Sequence, residues 1–271
     1  MRTFFSAVVL FAIGLVGGIC QETICAAQFS PIPLPGSTPD QNRIRMLTAA
    51  IEEAADSSPA LAQLLQQRAI QHARGNQWPE AAADFQSAAR IQPDNTIDWM
   101  RAAVLLRLAG DEPGYEQYMT EMVDRFEDTD SAGHAERTAK LCVLPKEPLG
   151  EQATVERLAD LGVQLGKGPG ASYFPCARAL VHYRYGEYDQ AIVAIRHSDR
   201  LNPGRRQRDV YAINRVLEAL CRARQGQVNE AYRAMQQGSA VLQQRLGNAN
   251  QLYAAHPWHD WMICKLLHDE A

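Results

Sequence analysis

A repeated spacing of glycine, aromatic and small residues constrains this chain more than any other feature. In GEYDQAIVAIRHSDRLNP, Gly186 is followed by Tyr188, Ala191, Ile195, Ser198 and Pro203, at steps of two, three, four, three and five. GQVNEAYRAMQQGSA repeats the ladder as Gly226, Val228, Ala231, Met235 and Gly238, without the closing proline. GNQWPEAAADFQSAARIQP carries it as Trp78, Ala81, Phe85, Ala88 and Pro93, with Gly75 displaced by one inserted residue. GDEPGYEQYMTEM keeps the register at Gly110, Tyr115, Met119 and Met122 but puts large residues where the others have small ones.

A pair of antiparallel helices explains this order. Glycine ends the first helix in a backbone conformation that a Cβ disfavours. Residues at steps of three and four then form one stripe on the second helix. Small members of the stripe let two helices approach, the larger ones fill the gap, and proline stops the second helix. From Asp40 onward the chain is rich in Ala, Leu, Gln, Glu and Arg, as an all-helical protein requires. The pattern predicts an all-α fold over residues 40–271, a helix-turn-helix solenoid.

These residues in this order resemble the tetratricopeptide repeat, a helix-turn-helix unit of about 34 residues that stacks into a superhelix. Beyond the repeat, the stretches GNQWPEAAADFQSAARIQPDN, WMRAAVLLRLAGDEPGYEQYMTEMVDRFEDT, AERTAKLCVLP and WHDWMICKLLHDEA are similar, in this order, to the tetratricopeptide tails of planctomycete-type bacterial serine/threonine kinases. The resemblance spans roughly residues 62–271 and implies a solenoid that binds proteins. The kinase parts are missing: no Gly-rich nucleotide loop with its lysine, no H-R-D-L-x-x-x-N and no D-F-G occurs in the sequence.

The 271 residues, 46% hydrophobic and 21% charged, suffice for a substantial core. A net charge of −4 gives no general pull toward nucleic acid or anionic lipid. Met1 and Arg2 precede an apolar run from Phe4 to Ile19, and the small residues Cys25 and Ala27 follow at the spacing a signal peptidase reads. Residues 1–27 therefore read as a signal peptide of an exported protein, periplasmic or extracellular. Membrane attachment is expected only if that segment stays uncleaved. Prolines 31, 33, 35 and 39 mark residues 28–39 as a linker. Four cysteines remain after cleavage, Cys142, Cys176, Cys221 and Cys264; standing singly among apolar neighbours, they read as small core residues.

Nothing in the sequence assembles a catalytic frame, so no catalytic residue is nominated and no cofactor is expected. GKGPGAS at 166–172 lacks the Ser or Thr that a phosphate loop places after its lysine, and reads as an inter-helix loop. Arg205, Arg206 and Arg208 in NPGRRQRD read as a solvated loop. His72, His182 and His197 stand alone in predicted helices. The crowded end, HPWHDWMICKLLHDEA, offers Asp260, Cys264 and His268 four apart on one face, but they span about 12 Å of helix rise and cannot share one ion whose ligands lie near 2 Å. Its apolar residues instead suit a terminal helix sealing the exposed end of the solenoid. A metal-dependent hydrolase built on these histidines, or a purely structural envelope protein, are the competing readings.

The groove of such a solenoid is lined mainly by the first helix of each pair. Tyr183 and Arg184, before Gly186, and Arg224, before Gly226, are the candidate peptide-binding residues. An aromatic ring and two guanidinium groups suit an acidic or C-terminal segment of a protein partner. Fractionation of producing cells should recover the chain outside the cytoplasm with its N-terminus near Gln28; full-length protein in the cytosol would contradict the export reading.

Overall fold

The computed structural model describes residues 31–247, 252–253 and 257–271; the apolar leader, its cleavage position and His256 lie outside the described residues. Twelve α-helices and no strand occur among the described residues. None of those helices is long and apolar enough to cross a membrane. Helix α1 (Gln41–Glu53) precedes five helix pairs: α2 and α3 (Pro59–Arg74, Trp78–Ile91), α4 and α5 (Thr96–Ala109, Glu112–Phe126), α6 and α7 (Ala132–Cys142, Gln152–Leu165), α8 and α9 (Tyr173–Arg184, Tyr188–Leu201), and α10 and α11 (Arg208–Arg224, Val228–Leu246). Helix α12 (Trp258–Glu270) follows. Each pair packs internally, its second helix packs on the first helix of the next pair, and the first helices α4, α6, α8 and α10 touch in succession. The result is an all-α helical-repeat solenoid.

The glycine turns form as the ladder requires. Gly110, Gly186 and Gly226 take φ of 71°, 78° and 73°. A Cβ added to any of them would meet nothing, so the requirement is conformational rather than steric. In the first pair Asn76, at φ 56°, holds this position, whereas Gly75 has an ordinary φ of −89°. Asparagine tolerates the left-handed region better than other residues with a side chain. Counted from Asn76, Trp78, Ala81, Phe85, Ala88 and Pro93 fall in the same register as their counterparts after Gly186, and no insertion is present.

The stripe residues are the seams between helices. Ala81, Phe85, Ala88, Ala191, Ile195, Ser198, Ala231 and Met235 are all buried. Gly238 marks a close approach: a Cβ there would lie 3.0 Å from Val216 Cγ2 and 3.3 Å from the Ala212 carbonyl. In α5 the corresponding positions hold Tyr115, Met119 and Met122, also buried, and this helix approaches α4 less closely than α3 approaches α2. The pair α6 and α7 has no glycine-turn ladder; residues 143–151 join it, and Gly162, whose added Cβ would sit 3.5 Å from Glu136 Cβ, allows its close contact.

Residues 31–40 form no helix or strand, yet they are fastened to the solenoid. Ile32 is buried in the main core, the Ser37 N–H donates to the Arg74 carbonyl at 3.0 Å, and Pro39 packs on Gly75. The four described cysteines are buried and unpaired, as small core residues. Replacing Ala191, which has no exposed surface, by Leu should lower the unfolding free energy by roughly 1 to 3 kcal/mol in a urea titration, because the α8–α9 seam has no room for the added carbons. A neutral result would show that Ala191 does not set that spacing.

Candidate functional site

The first helices of successive pairs share one inner face, and α12 lies across it. Helix α12 packs on α4, α10 and α11, and reaches α6 and α8 through ion pairs. It therefore fills the solenoid's inner face, which corrects the expectation of a helix sealing its end. The physical reason is its composition: Trp258, Trp261, Met262, Ile263, Cys264 and Leu267 are all buried and surround the helix, so an end cap with one solvated side would waste them. Trp258 sits 5.9 Å from the Phe85 ring and 5.4 Å from that of Tyr253, with the Arg101 guanidinium 5.9 Å over it. The helix starts at Trp258, with Pro257 in the capping position.

Charged residues locate α12 along this face. The Lys140 ammonium, on α6, lies 3.1 Å from Asp260 Oδ1 and 2.7 Å from Glu136 Oε1, with all three side chains about 5% exposed or less. Burial works against the ammonium, but Asp260 and Glu136 outweigh it and hold the Lys140 pKa above its usual value. Burial likewise opposes ionisation of Asp260, and Lys140 and His259 overcome it, holding that carboxyl well below the usual range. His259, 3.3 Å from Asp260, is pushed down chiefly by burial. Beside this group the Tyr173 hydroxyl donates to Asp209 Oδ2 at 2.5 Å. Asp209 is pushed up to about 6, by burial first and by the neighbouring Asp260 second.

The residues expected to bind a peptide lie at the other end of α12. Arg184 is fully engaged: Nε donates to the Val143 carbonyl at 2.9 Å, Nη2 to the Leu144 carbonyl at 3.0 Å, and Nη1 and Nη2 to the two carboxylate oxygens of Glu270 at 2.5 and 2.7 Å. The Tyr183 hydroxyl donates to the same Glu270 at 3.1 Å, and its pKa is pushed up to about 12 by burial and by that carboxylate. Arg224 is exposed, and its guanidinium is raised by the adjacent Tyr183 hydroxyl. The structure thus brings Tyr183, Arg184 and Arg224 together around an acidic residue of a helix, and that helix belongs to the same chain. With α12 seated, the Arg184 side chain is 3% exposed and out of reach of a second ligand.

Asp260, Cys264 and His268 each have separate surroundings. Asp260 faces Lys140, Cys264 is buried with its thiol pKa raised by burial, and His268 Nε2 lies 2.9 Å from the Ser239 hydroxyl on α11. Among the described residues no group of three or more His, Cys, Asp or Glu is placed to hold a metal ion. GKGPGAS joins α7 to α8, and NPGRRQRD holds a short 3-10 turn, Pro203–Arg205, and the first two residues of α10, with Arg205 4.2 Å over the Tyr211 ring. No family model matches the chain, and a search of curated proteins finds no match.

Sequence reasoning missed Lys140, Glu136, Asp209 and Glu270. A signal existed in Lys140, a lone charge between Ala139 and Leu141 in an otherwise apolar turn, but its partner lies 120 residues away. Arg107 with Glu112, Arg222 with Gln227, His182 with Glu187 (2.5 Å) and His72 with Gln77 (3.0 Å) form a second repeated feature, a side-chain hydrogen bond across four of the turns.

The raised carboxyl of Asp209 has a definite sign in stability. Its folded pKa of about 6 exceeds the ordinary carboxylate value near 3.9, so the native state binds more protons between those limits. Its contribution is favourable in acid and is lost as pH rises through that window. Asp209→Asn keeps an acceptor for Tyr173 and removes the charge. Relative to the natural protein, the variant should gain on the order of 2 kcal/mol in unfolding free energy between pH 4 and pH 7. A difference that does not change with pH in urea titrations would show that Asp209 is not penalised by burial.

Proposed function

We propose that this chain is an exported, non-catalytic tetratricopeptide-type module that acts by holding another protein. The observation that carries this reading is the inner face itself, where Tyr183 and Arg184 grip the Glu270 carboxylate of a helix laid across successive first helices. A bidentate guanidinium–carboxylate pair of this kind is a recognition contact with defined geometry. The repeated turn residues and small-residue seams support the same assignment. The buried Lys140 pairs with Asp260 of α12 and with Glu136 in the interior, away from the open clefts of the surface. A partner then meets the outward surfaces, together with Arg224 at the rim of the inner face. Immobilised residues 28–271 should retain one protein at near-equimolar yield from the envelope fraction of the producing cells, and chelator should not release it. Retention of nothing at micromolar concentration would overturn the module reading.

A further inference from the structure

His182 and His197, which stand alone in the sequence, line one open cleft of about 380 Å³ between α8 and α9. Pro175 and Ala194 are buried members of its wall, while Arg178, Val193 and Arg200 reach solvent. The lining holds two guanidinium groups against one carboxylate, that of Asp189, which accepts a hydrogen bond from Gln225 Nε2 at 2.7 Å. Arg178 pairs through Nε with Asp160 at 2.8 Å, whereas Arg200 and His197 have no ion-pair partner among the described residues. On a chain of net charge −4 the cleft is a local reversal of sign.

Two further observations do not depend on the arginines. His182 is 9% exposed; its Nδ1 lies 2.5 Å from Glu187 Oε2, and its Nε2 has no hydrogen-bond partner among the described residues. Glu187 thus holds the ring in place and leaves its second nitrogen open to a ligand. Val193 is 62% exposed. Seven positions after the turn residue, its counterparts in the other ladder copies are Ala83, Gln117 and Arg233, all exposed. Three second helices therefore put a small or polar residue where α9 puts a β-branched apolar one, at some cost in helix propensity. A ligand seated in the cleft removes that apolar surface from water.

We propose that the cleft between α8 and α9 is a docking surface for an acidic segment of the partner protein, whose carboxylates pair with Arg200 and Arg178 and whose apolar side chain covers Val193. This rests on the module reading and names the chemistry of its partner. Arg200 offers an unpaired guanidinium, and its planar fork of donors fits a carboxylate through two hydrogen bonds. The attraction is one that salt screens, and the apolar contact is one that salt leaves in place.

The test uses residues 28–271 and fluorescent peptides in anisotropy titrations at low and high salt. One peptide alternates Glu and Ala around a central Leu, and a second has Lys in place of Glu. The glutamate peptide should bind, more weakly at high salt, and the lysine peptide should not. Vesicles of phosphatidylglycerol, anionic but without a peptide, should not displace it. Arg200→Glu should weaken binding at least fivefold, and Val193→Ser about threefold, both at unchanged melting temperature, as suits exposed positions. Arg233→Glu, the same charge change at the exposed position of α11 that corresponds to Val193, should leave binding near its original value. Equal loss in both arginine variants, unchanged affinity in Val193→Ser, displacement by the vesicles, or no binding of the glutamate peptide at low salt overturns the docking surface. If the native partner is still captured in that event, the module reading stands and only this cleft falls.

Discussion

The solenoid depends on an ion pair made in its interior. Lys140 on α6 and Asp260 on α12 meet at 3.1 Å with almost no access to water. Such a pair adds little net stability over apolar residues of the same size, because desolvating both charges offsets their attraction. It discriminates strongly between arrangements. Any placement of α12 that leaves Lys140 or Asp260 unpaired strands a buried charge, at a cost of about 3 to 5 kcal/mol. Apolar side chains surrounding α12 would accept several rotations and registers; the pairs Lys140–Asp260 near its start and Arg184–Glu270 at its end select one.

Two kinds of packing follow from one ladder. Where the stripe is small, as at Ala81, Ala191, Ala231 and Gly238, two helices close on each other and leave no surface between them. Where it is large, as at Tyr115, Met119 and Met122, the core is still filled but the helices stand apart and their flanks open as clefts. The same substitution that makes the α5 copy a poor match to the repeat therefore accompanies open clefts on its flanks.

Most of the fold was legible because its determinants are local. A left-handed turn residue, a stripe at steps of three and four, and a closing proline all act within about 20 residues, and they located the pairs built on α2, α4, α8 and α10. Asn76 was misread only because asparagine was not counted as a turn residue. The pair α6 and α7 escaped because its close contact comes from Gly162 in mid-helix instead of a glycine turn. Tyr183 and Arg184 were legible as inner-face residues from their place before Gly186, but their ligand was not, since Glu270 follows 86 positions after Arg184. For α12, all-round apolarity announced burial and said nothing about what would bury it. That information sits in residues such as Lys140, which no local pattern connects to Asp260.

Arrays of helix pairs in which each touches only its neighbours are close to one-dimensional: their stabilities add along the array, and ends unfold before middles. Helix α12 breaks that rule by joining α4, α6, α8, α10 and α11, with Lys140 and Asp260 meeting across 120 residues of chain and Arg184 and Glu270 across 86. It also comes after all five pairs in the sequence. The pairs can form as they emerge during synthesis, but their shared interior stays wet until residues 257–271 have been made and laid down. Docking of α12 is thus a step of high contact order that follows closure of the pairs it covers.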